Sequence, residues 1–264
     1  MIDRLSLHPR PGRAPARLPW GVEGIDARIG GGLVVPALHE FRAAQARDIG
    51  AATGVLIGLL TALMRTAGKR LLWVSDPAAV ADAGLLYPDG LAQFGLDPAV
   101  ITQVFPVDVK TALWAADEGA RCPDLAAVVL QIKGNPARLD RLATRRLMLR
   151  SQASGVMVLI LRQSGVEEAG AAQTRWRIAP RPARAEPGLT GCVGWPHVTL
   201  VLERCRSGQT GAWALQWDPK RKVFDHGQSL EEDAPVSVDR PAASVDRSDR
   251  AAALGQILDL RRAP

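Results

Sequence analysis

The sequence predicts an α/β fold with a mostly parallel sheet and helices on both of its faces. Residues 125–132 and 156–161 are continuous apolar runs of strand length, as expected of strands that are covered on both sides. Residues 50–64 carry apolar side chains at helical spacing instead. Strands that alternate with helices along a chain are typical of a parallel sheet.

The other elements follow in chain order from the same periodicities. Strands are predicted at residues 37–41, 71–74 and 101–105, and helices at residues 80–94, 110–120 and 138–151. A turn signal, Tyr87-Pro88-Asp89-Gly90, interrupts the helix at 80–94. Residues 174–178, 198–204 and 212–217 mix polar and apolar side chains in partial alternation, which predicts an antiparallel extension of the sheet.

Composition divides the chain into a folded part and two polar ends. The length of 264 residues fits one α/β domain with a tail. Residues 1–17 are rich in proline and arginine and are predicted to be a flexible basic arm, followed by the domain at 18–226. Residues 227–264 are polar, so we expect a disordered tail that carries a short terminal helix at 251–261.

Charge and cysteine usage narrow the class of protein. The formal net charge of +6 permits binding to nucleic acid or to an acidic partner. The three cysteines form no CxxC pair, which argues against a zinc site or a disulfide framework. The basic N-terminus lacks a signal-peptide core, and no apolar run is predicted to be long enough to span a membrane. A cytoplasmic protein with no membrane partner is expected.

Tryptophan and histidine residues are assigned from the elements that contain them. The tryptophans on predicted strands and helices are expected in the core, namely Trp73, Trp114, Trp176, Trp213 and Trp217. Trp20 and Trp195 lie near loops and are candidate anchors for a partner. His39 lies in the predicted strand at 37–41, and the four histidines show no metal-ligand spacing, so His39 is expected to be a buried, hydrogen-bonded core residue.

A glycine-rich entry precedes the first strand of the predicted sheet. Gly30, Gly31 and Gly32 lead into the strand at 37–41, and a loop ending at Gly50 leads into the helix at 50–64. This order, with its later strand–helix steps and antiparallel end, resembles the RecA core. Residues 18–41 resemble the stretch that leads to the RecA phosphate loop.

A closer resemblance is to the ImuA family, the RecA-like accessory proteins of bacterial mutagenesis cassettes. It rests on short motifs whose order and spacing cover residues 18–225. The motifs are Leu18-Pro19-Trp20-Gly21, Gly30-Gly31-Gly32-Leu33, Leu38-His39-Glu40, Gly50-Ala51-Ala52-Thr53-Gly54, Leu72-Trp73-Val74, Ala112-Leu113-Trp114-Ala115, Arg145-Arg146-Leu147, Thr174-Arg175-Trp176-Arg177 and Trp217-Asp218. The resemblance implies a RecA-like core fold related to the SulA/RecA superfamily.

The phosphate-loop positions lack the residues that hold a nucleotide. A working loop reads G-x-x-x-x-G-K-[ST], in which the lysine contacts the β- and γ-phosphates and the hydroxyl binds Mg²⁺. Gly50 aligns with the second glycine, which puts Gln45 at the first glycine, Ala51 at the lysine and Ala52 at the hydroxyl. We therefore predict no bound cofactor, no metal and no catalytic residue.

The positions around the metal of RecA-like proteins are also altered. Gln131 directly follows the apolar residues 126–130, where the resemblance implies an acidic residue that helps hold Mg²⁺. Glutamine is a poor ligand for a hard cation. Asp76 has the place of a water-activating carboxylate, but an N-cap before Pro77 is the favoured interpretation. Arg42 and Arg47 could take over part of the missing lysine's role.

Candidate DNA contacts come from the loops that correspond to the DNA-contacting loops of RecA. The predicted phosphate contacts are Lys133, Arg138, Arg175 and Arg177. The second of these loops, residues 163–173, contains Glu167 and Glu168 and no basic residue, which argues against RecA-style DNA binding. The five arginines of the helix at 138–151 are expected to form a solvated face.

An apolar stripe in the tail is a candidate protein contact. Leu254, Ile257 and Leu258 fall on one helical face together with Arg261, and the candidate contacts of this stripe are Leu254, Ile257, Leu258 and Leu260. An apolar helical face after a flexible tether suits docking into a partner's groove, and folding back onto its own domain is an equally compatible alternative.

The resemblance implies a function. It implies a non-catalytic RecA-fold accessory or scaffold protein in the DNA-damage-induced (SOS) translesion synthesis that causes mutagenesis. The implied partners are an inactive Y-family polymerase-like protein and the error-prone polymerase of the same cassette, with RecA and DNA as further candidates. Two alternatives stay open: a RecA-like DNA-dependent ATPase with an irregular phosphate loop, and a SulA-like cell-division inhibitor.

Overall fold

The computed structural model describes residues 16–183 and 194–226. The predicted tail, including its terminal helix and the stripe of Leu254, Ile257, Leu258 and Leu260, lies outside the described residues, as do residues 1–15 of the predicted arm. Ala16 and Arg17, which the sequence assigns to that arm, belong instead to a short strand.

A nine-stranded sheet runs through the described part of the chain. The described residues form eleven strands, of which β3 to β11 make up this sheet. They are β1 (Ala16–Leu18), β2 (Leu33–Val35), β3 (Leu38–Ala43), β4 (Arg70–Ser75), β5 (Ile101–Val104), β6 (Leu125–Lys133), β7 (Met157–Gln163), β8 (Thr174–Pro180), β9 (His197–Cys205), β10 (Gly211–Asp218) and β11 (Val223–His226). Their order in the sheet is β11-β10-β9-β8-β3-β7-β6-β4-β5, and β1 pairs with β2 separately. The predicted RecA-like α/β fold is confirmed.

Helices cover both faces of this sheet. They are α1 (Glu23–Arg28), α2 (Ile49–Ala67), α3 (Pro77–Ala83), α4 (Pro88–Gln93), α5 (Val109–Gly119) and α6 (Arg141–Ser154). Helix α2 packs on one face in an apolar cluster with Phe41 and Trp73. Helices α5 and α6 pack on the other face, against strand residues such as Val128 and Ile160. Continuous apolar strands are therefore explained by cover on both sides.

Helix α6 begins three residues later than the sequence predicts. The Asp140 side chain accepts a hydrogen bond from the Ala143 backbone N–H at 2.7 Å, so Asp140 is the N-cap. Similarly, the predicted helix at 80–94 is two short helices, and Pro88, assigned to the interrupting turn, is the first residue of α4. Proline is favoured at the first position of a helix because a backbone N–H at that position would have no partner within the helix.

The orientation of β8 differs from the prediction. Residues 174–178 were expected in the antiparallel extension, but β8 pairs parallel to β3, with His39 opposite Thr174. The antiparallel part begins only at β9. Residues 164–173 therefore run back along the sheet from the carboxyl end of β7 to the amino end of β8. The prediction rested on the partial alternation of polar and apolar residues, and this pattern does not fix the direction of a strand.

The glycine-rich entry forms a small structured unit that the sequence left without elements. The Asp26 carboxylate accepts hydrogen bonds from the backbone N–H groups of Trp20 at 2.8 Å and Gly21 at 3.0 Å. Gly32 has a φ of +123°, and a Cβ there would overlap the Leu18 backbone. The glycine lets strand β1 pass close beside it.

One helical segment, Ala46–Ala67, is long and apolar enough to cross a membrane by length and composition alone. The prediction that no run has this length is therefore wrong. More than half of the segment's most apolar stretch is buried inside the protein, and the buried residues include Val55, Leu56 and Leu60. This is the burial of a core helix.

Two tryptophans lie where the sequence did not place them. Trp20, a predicted surface anchor, is buried with its ring centroid 5.0 Å from that of Trp176. Trp114, a predicted core residue, is 61% exposed. In α5 the buried residues include Leu113 and Ala116, so residue 114 falls on the outer face. The position of a residue around the helix, rather than its presence in a helix, decides whether its side chain is buried.

Candidate functional site

The β3–α2 loop has the position of a phosphate loop but is closed on itself. Residues Ala46–Asp48 form a 3-10 turn, in which the Ile49 N–H donates to the Ala46 carbonyl and the Asp48 N–H donates to the Gln45 carbonyl. The Ala44 N–H donates to Ile178 of β8. A working loop directs its amide groups at phosphates, whereas these amides already have acceptors within the protein.

Asp48 places a carboxylate at the start of α2. Its side chain is only 8% exposed, and its Oδ2 accepts a hydrogen bond from the Gln45 backbone N–H at 3.0 Å. A helix N-terminus attracts anions because unpaired N–H groups and the helix dipole are positive there. Asp48 is the N-cap residue of α2 and brings a negative charge to this position, although its side chain makes no cap hydrogen bond with the helix. The prediction missed it, although an Asp directly before a long apolar helix is an N-terminal signal.

The other loop positions offer little to a phosphate. Ala51 and Ala52 begin the first turn of α2 and carry no polar side-chain atom. Arg42, a predicted partial substitute for the lysine, is engaged elsewhere: it contacts Glu203 at 2.5 Å and the Gly165 carbonyl at 3.0 Å. The Arg47 side chain is 80% exposed.

Gln131, at the position of the metal-binding acid, is tied to the neighbouring strand. Its Oε1 atom accepts hydrogen bonds from the Trp73 Nε1–H at 3.0 Å and the Ser75 hydroxyl at 3.2 Å. An amide oxygen has two lone pairs, and both are used by these donors. The residue is buried, so its oxygen is saturated and has nothing left to offer a metal ion.

Asp76 has the predicted N-cap position of α3 but makes no side-chain cap hydrogen bond. Its backbone N–H donates to the Gln131 carbonyl at 2.9 Å. Its buried carboxylate faces the Lys133 backbone N–H, with Oδ2 at 3.4 Å from the nitrogen. Asp76 therefore joins the ends of β4 and β6 and does not cap α3 with its side chain.

An apolar cleft of about 230 Å³ lies beside the start of α2. Gly50, Thr53, Leu85, Tyr87 and Phe94 are among the residues that line it. Leu85 and Tyr87 are 63% and 66% exposed. The space next to the remodelled loop is therefore lined mainly by carbon atoms and lacks the cations that phosphates require.

The four predicted DNA contacts do not share one environment. Lys133 forms an ion pair with Asp82 at 3.2 Å, and Arg138 is exposed at the α5–α6 surface. Arg177 is part-exposed and its Nε lies 2.9 Å from Glu203. Arg175 has a side chain that is only 2% exposed, and its assignment as a DNA contact is corrected, because a guanidinium buried among protein acceptors cannot reach a phosphate.

Arg175 belongs to a buried charge network under residues 164–173. Its Nε lies 3.4 Å from Glu40 Oε2, and Arg162 Nε lies 2.9 Å from Glu40 Oε1. Arg175 also binds the Glu167 carboxylate at 2.9 Å and the Glu168 carbonyl. The loop that corresponds to the second DNA-contacting loop of RecA is thus fastened to the sheet by the buried Arg175, although the Glu167 side chain of this ion pair is 61% exposed.

His39 is buried and hydrogen-bonded, as predicted. Its Nε2 lies 2.9 Å from the Val34 carbonyl, and its Nδ1 lies 2.7 Å from the Thr174 hydroxyl. The carbonyl can only accept, so Nε2 carries the proton. The Thr174 oxygen accepts from Trp176 Nε1 and donates its own hydrogen to Nδ1. Burial lowers the pKa of His39 to about 4.

The sheet order and the β3–α2 loop define a protein of the RecA-like class, and comparison with solved structures agrees. The crystal structure of the RadB recombinase superposes with a TM-score of 0.53 at 15% identity, covering 80% of this chain and 100% of that one. At this identity the likeness shows the fold alone.

Sequence comparison supplies the family. The chain is 32% identical to Protein ImuA of Caulobacter vibrioides strain NA1000 over 212 residues, which is 75% of this chain and 82% of the relative. The match to Protein ImuA of strain ATCC 19089 has the same values. No family model matches the chain. The chain belongs to the ImuA family, which supports a RecA-like accessory role in SOS mutagenesis.

Proposed function

We propose that the chain is a non-catalytic RecA-fold scaffold in DNA-damage-induced translesion synthesis. Its partners under this proposal are an inactive Y-family polymerase-like protein and the error-prone polymerase of the same cassette, in the cytoplasm. Family membership supports the pathway. The non-catalytic nature rests on the geometry of the remodelled loop.

The observation that carries the proposal is the Asp48 carboxylate in the phosphate-loop turn. A nucleotide phosphate at the α2 N-terminus would meet this negative charge, which is buried and therefore weakly screened. The phosphate would also lack the lysine and hydroxyl that Ala51 and Ala52 replace. Charged hydrogen bonds of this type contribute about 1.5–3 kcal/mol each, so their joint loss removes most of the affinity for nucleotide.

The fastened loop supports a protein-binding role over RecA-style DNA binding. Residues 164–173 contain two glutamates and no basic residue, and Asn135 exchanges hydrogen bonds with Val166 at 2.7 and 3.0 Å. Backbone phosphates are bound mainly by Arg and Lys side chains. A loop with the opposite charge that is held against its own sheet does not fit that task.

Titration with ATP and Mg²⁺ tests the proposal directly. Calorimetry of the full chain should give no binding at millimolar ATP, and phosphate release should be the same with and without single-stranded DNA. Asp48→Asn, which removes the charge but keeps the side-chain size, is expected to bind inorganic pyrophosphate more tightly than the wild type does. Asp124→Asn, at an exposed residue, is the charge-matched control and should have no such effect.

Turnover that Asp76→Ala abolishes would contradict the non-catalytic proposal and favour the DNA-dependent ATPase. Expression of the chain in undamaged cells distinguishes the third possibility, because a SulA-like division inhibitor produces filamentous cells and a mutagenesis scaffold does not. Both alternatives stay predictions.

A further inference from the structure

Helices α5 and α6 lie side by side on one face of the sheet and form an open groove. Its volume is about 610 Å³. Leu113 of α5 and Ala143 of α6 are among the apolar lining residues, and the buried Asp117 lies between the helices within reach of arginines from α6. The groove lies outside the remodelled phosphate-loop region described above.

Large apolar side chains are exposed along this groove and the adjoining surface of α6. Trp114 of α5 is 61% exposed, Leu142 of α6 is 74% exposed and Leu149 is 52% exposed. Residues 142 and 149 are seven positions apart, so they lie on nearly the same line of the helix. Their neighbours Ala143 and Leu147 are buried, which shows that α6 already packs its inner face. The leucines form a second, outward apolar stripe.

The charges around this stripe are mainly positive. The two segments 108–121 and 138–154 contain seven cations and four acids. The cations are Lys110, Arg121, Arg138, Arg141, Arg145, Arg146 and Arg150. The acids are Asp108, Asp117, Glu118 and Asp140. Helix α6 itself contains no acidic residue.

The acids are engaged with groups of the chain itself. Asp108 and Asp140 each accept a 2.7 Å hydrogen bond from a backbone N–H and cap α5 and α6. Glu118 pairs with Arg121 at 3.3 Å. Asp117 is 7% exposed, with Arg121 at 2.9 Å, Arg146 at 3.2 Å and Arg150 at 3.7 Å. One carboxylate thus orients three guanidiniums at the groove, and the surface keeps an excess of positive charge.

We propose that the α5–α6 groove docks an acidic amphipathic helix of a partner protein. The apolar residues of such a helix would cover Trp114, Leu142 and Leu149, and its carboxylates would pair with the surrounding arginines. Arginine and tryptophan are the residues that most often dominate binding at interfaces. Aliphatic leucines in the stripe favour a protein over a nucleic acid, since bases stack on aromatic side chains. This inference rests on the proposed function, which makes the polymerase-like protein of the cassette the owner of the helix.

Affinity measurements with the full chain and that polymerase-like protein test the groove. Leu142→Asp and Trp114→Ala should each weaken binding by about tenfold or more, and Arg145→Glu should weaken it and reduce its dependence on salt. Leu85→Asp is the matched control, because Leu85 is also an exposed leucine, at 63%, but lies at the cleft beside α2. It should change the affinity by less than about twofold. Unchanged urea midpoints would verify that the variants fold.

The outcomes separate the inference from the function on which it rests. If the wild-type chain does not bind the polymerase-like protein, the proposed function fails and the inference fails with it. If the wild type binds and the groove variants bind equally well, the groove is not the docking surface, whereas the scaffold function stands. If partner binding is unchanged but affinity for an oligo-dT strand falls in Trp114→Ala and Arg145→Glu, the surface binds nucleic acid and the proposal is overturned.

Discussion

Protonation of His39 is expected to make the protein less stable in mild acid. His39 is fully buried, and both of its ring nitrogens are engaged with groups that fit the neutral imidazole. Burial lowers its pKa to about 4, against 6.5 for an unperturbed histidine. Between these two values the unfolded chain binds a proton that the folded chain does not, so the free energy of unfolding decreases as the pH falls.

The size of the effect follows from the two pKa values. One pKa unit corresponds to about 1.4 kcal/mol, so the neutral, buried His39 contributes about 3 kcal/mol to the free energy of unfolding. This contribution is present above pH 6.5 and is lost by pH 4. Between pH 8 and pH 5 the loss from this residue is about 2 kcal/mol. For a domain of this size that is a substantial part of the total stability.

Urea unfolding at pH 8, 7, 6 and 5 measures this loss. His39→Gln removes the titrating group, so the variant should lose about 2 kcal/mol less than the wild type over this range, whatever its stability at pH 8. His226→Gln, at an exposed histidine, is the matched control for the loss of one imidazole. A wild type and a His39→Gln variant with parallel pH profiles would refute the assignment of His39 as a buried neutral residue.

Two glycines of α2 and one buried acid give further expectations for urea unfolding. Gly58→Ala should cost about 1–3 kcal/mol, because the new Cβ would lie 2.7 Å from Phe224 and 3.0 Å from Trp217. Gly50→Ala should be neutral or stabilise by up to about 1 kcal/mol, since nothing lies within 4 Å of a Cβ added there; a marked loss of stability would contradict these open surroundings. Glu40→Gln should cost about 3–5 kcal/mol because it removes the carboxylate that pairs with the buried Arg162, and an unchanged midpoint would contradict the buried network.

Local periodicity predicted the parts of the fold that depend on local packing. The continuous apolar runs in β6 and β7 and the helical spacing in α2 each produce their element directly, because the pattern and the burial have the same cause. The orientation of β8 could not be predicted in this way. It is set by pairing between residues far apart in sequence, such as Phe41 with Trp176, and local periodicity carries no information on such pairs.

The sequence predicted which nucleotide-binding residues the candidate site lacks, but it did not predict the Asp48 carboxylate that the site contains. Aligning Gly50 with a phosphate loop exposed the loss at Ala51 and Ala52 from sequence alone. The replacement by Asp48 required the backbone of the 3-10 turn, because only that turn brings its carboxylate to the Gln45 N–H. Trp114 was wrongly predicted to be buried, because its position around the axis of α5 decides whether its ring is covered.

The anion that Asp48 supplies is covalently part of the chain, so it cannot be exchanged. A bound nucleotide can be hydrolysed, and the loops that contact its γ-phosphate are then released. Under the proposed function the β3–α2 loop holds no such ligand, so it has no nucleotide-dependent change of conformation.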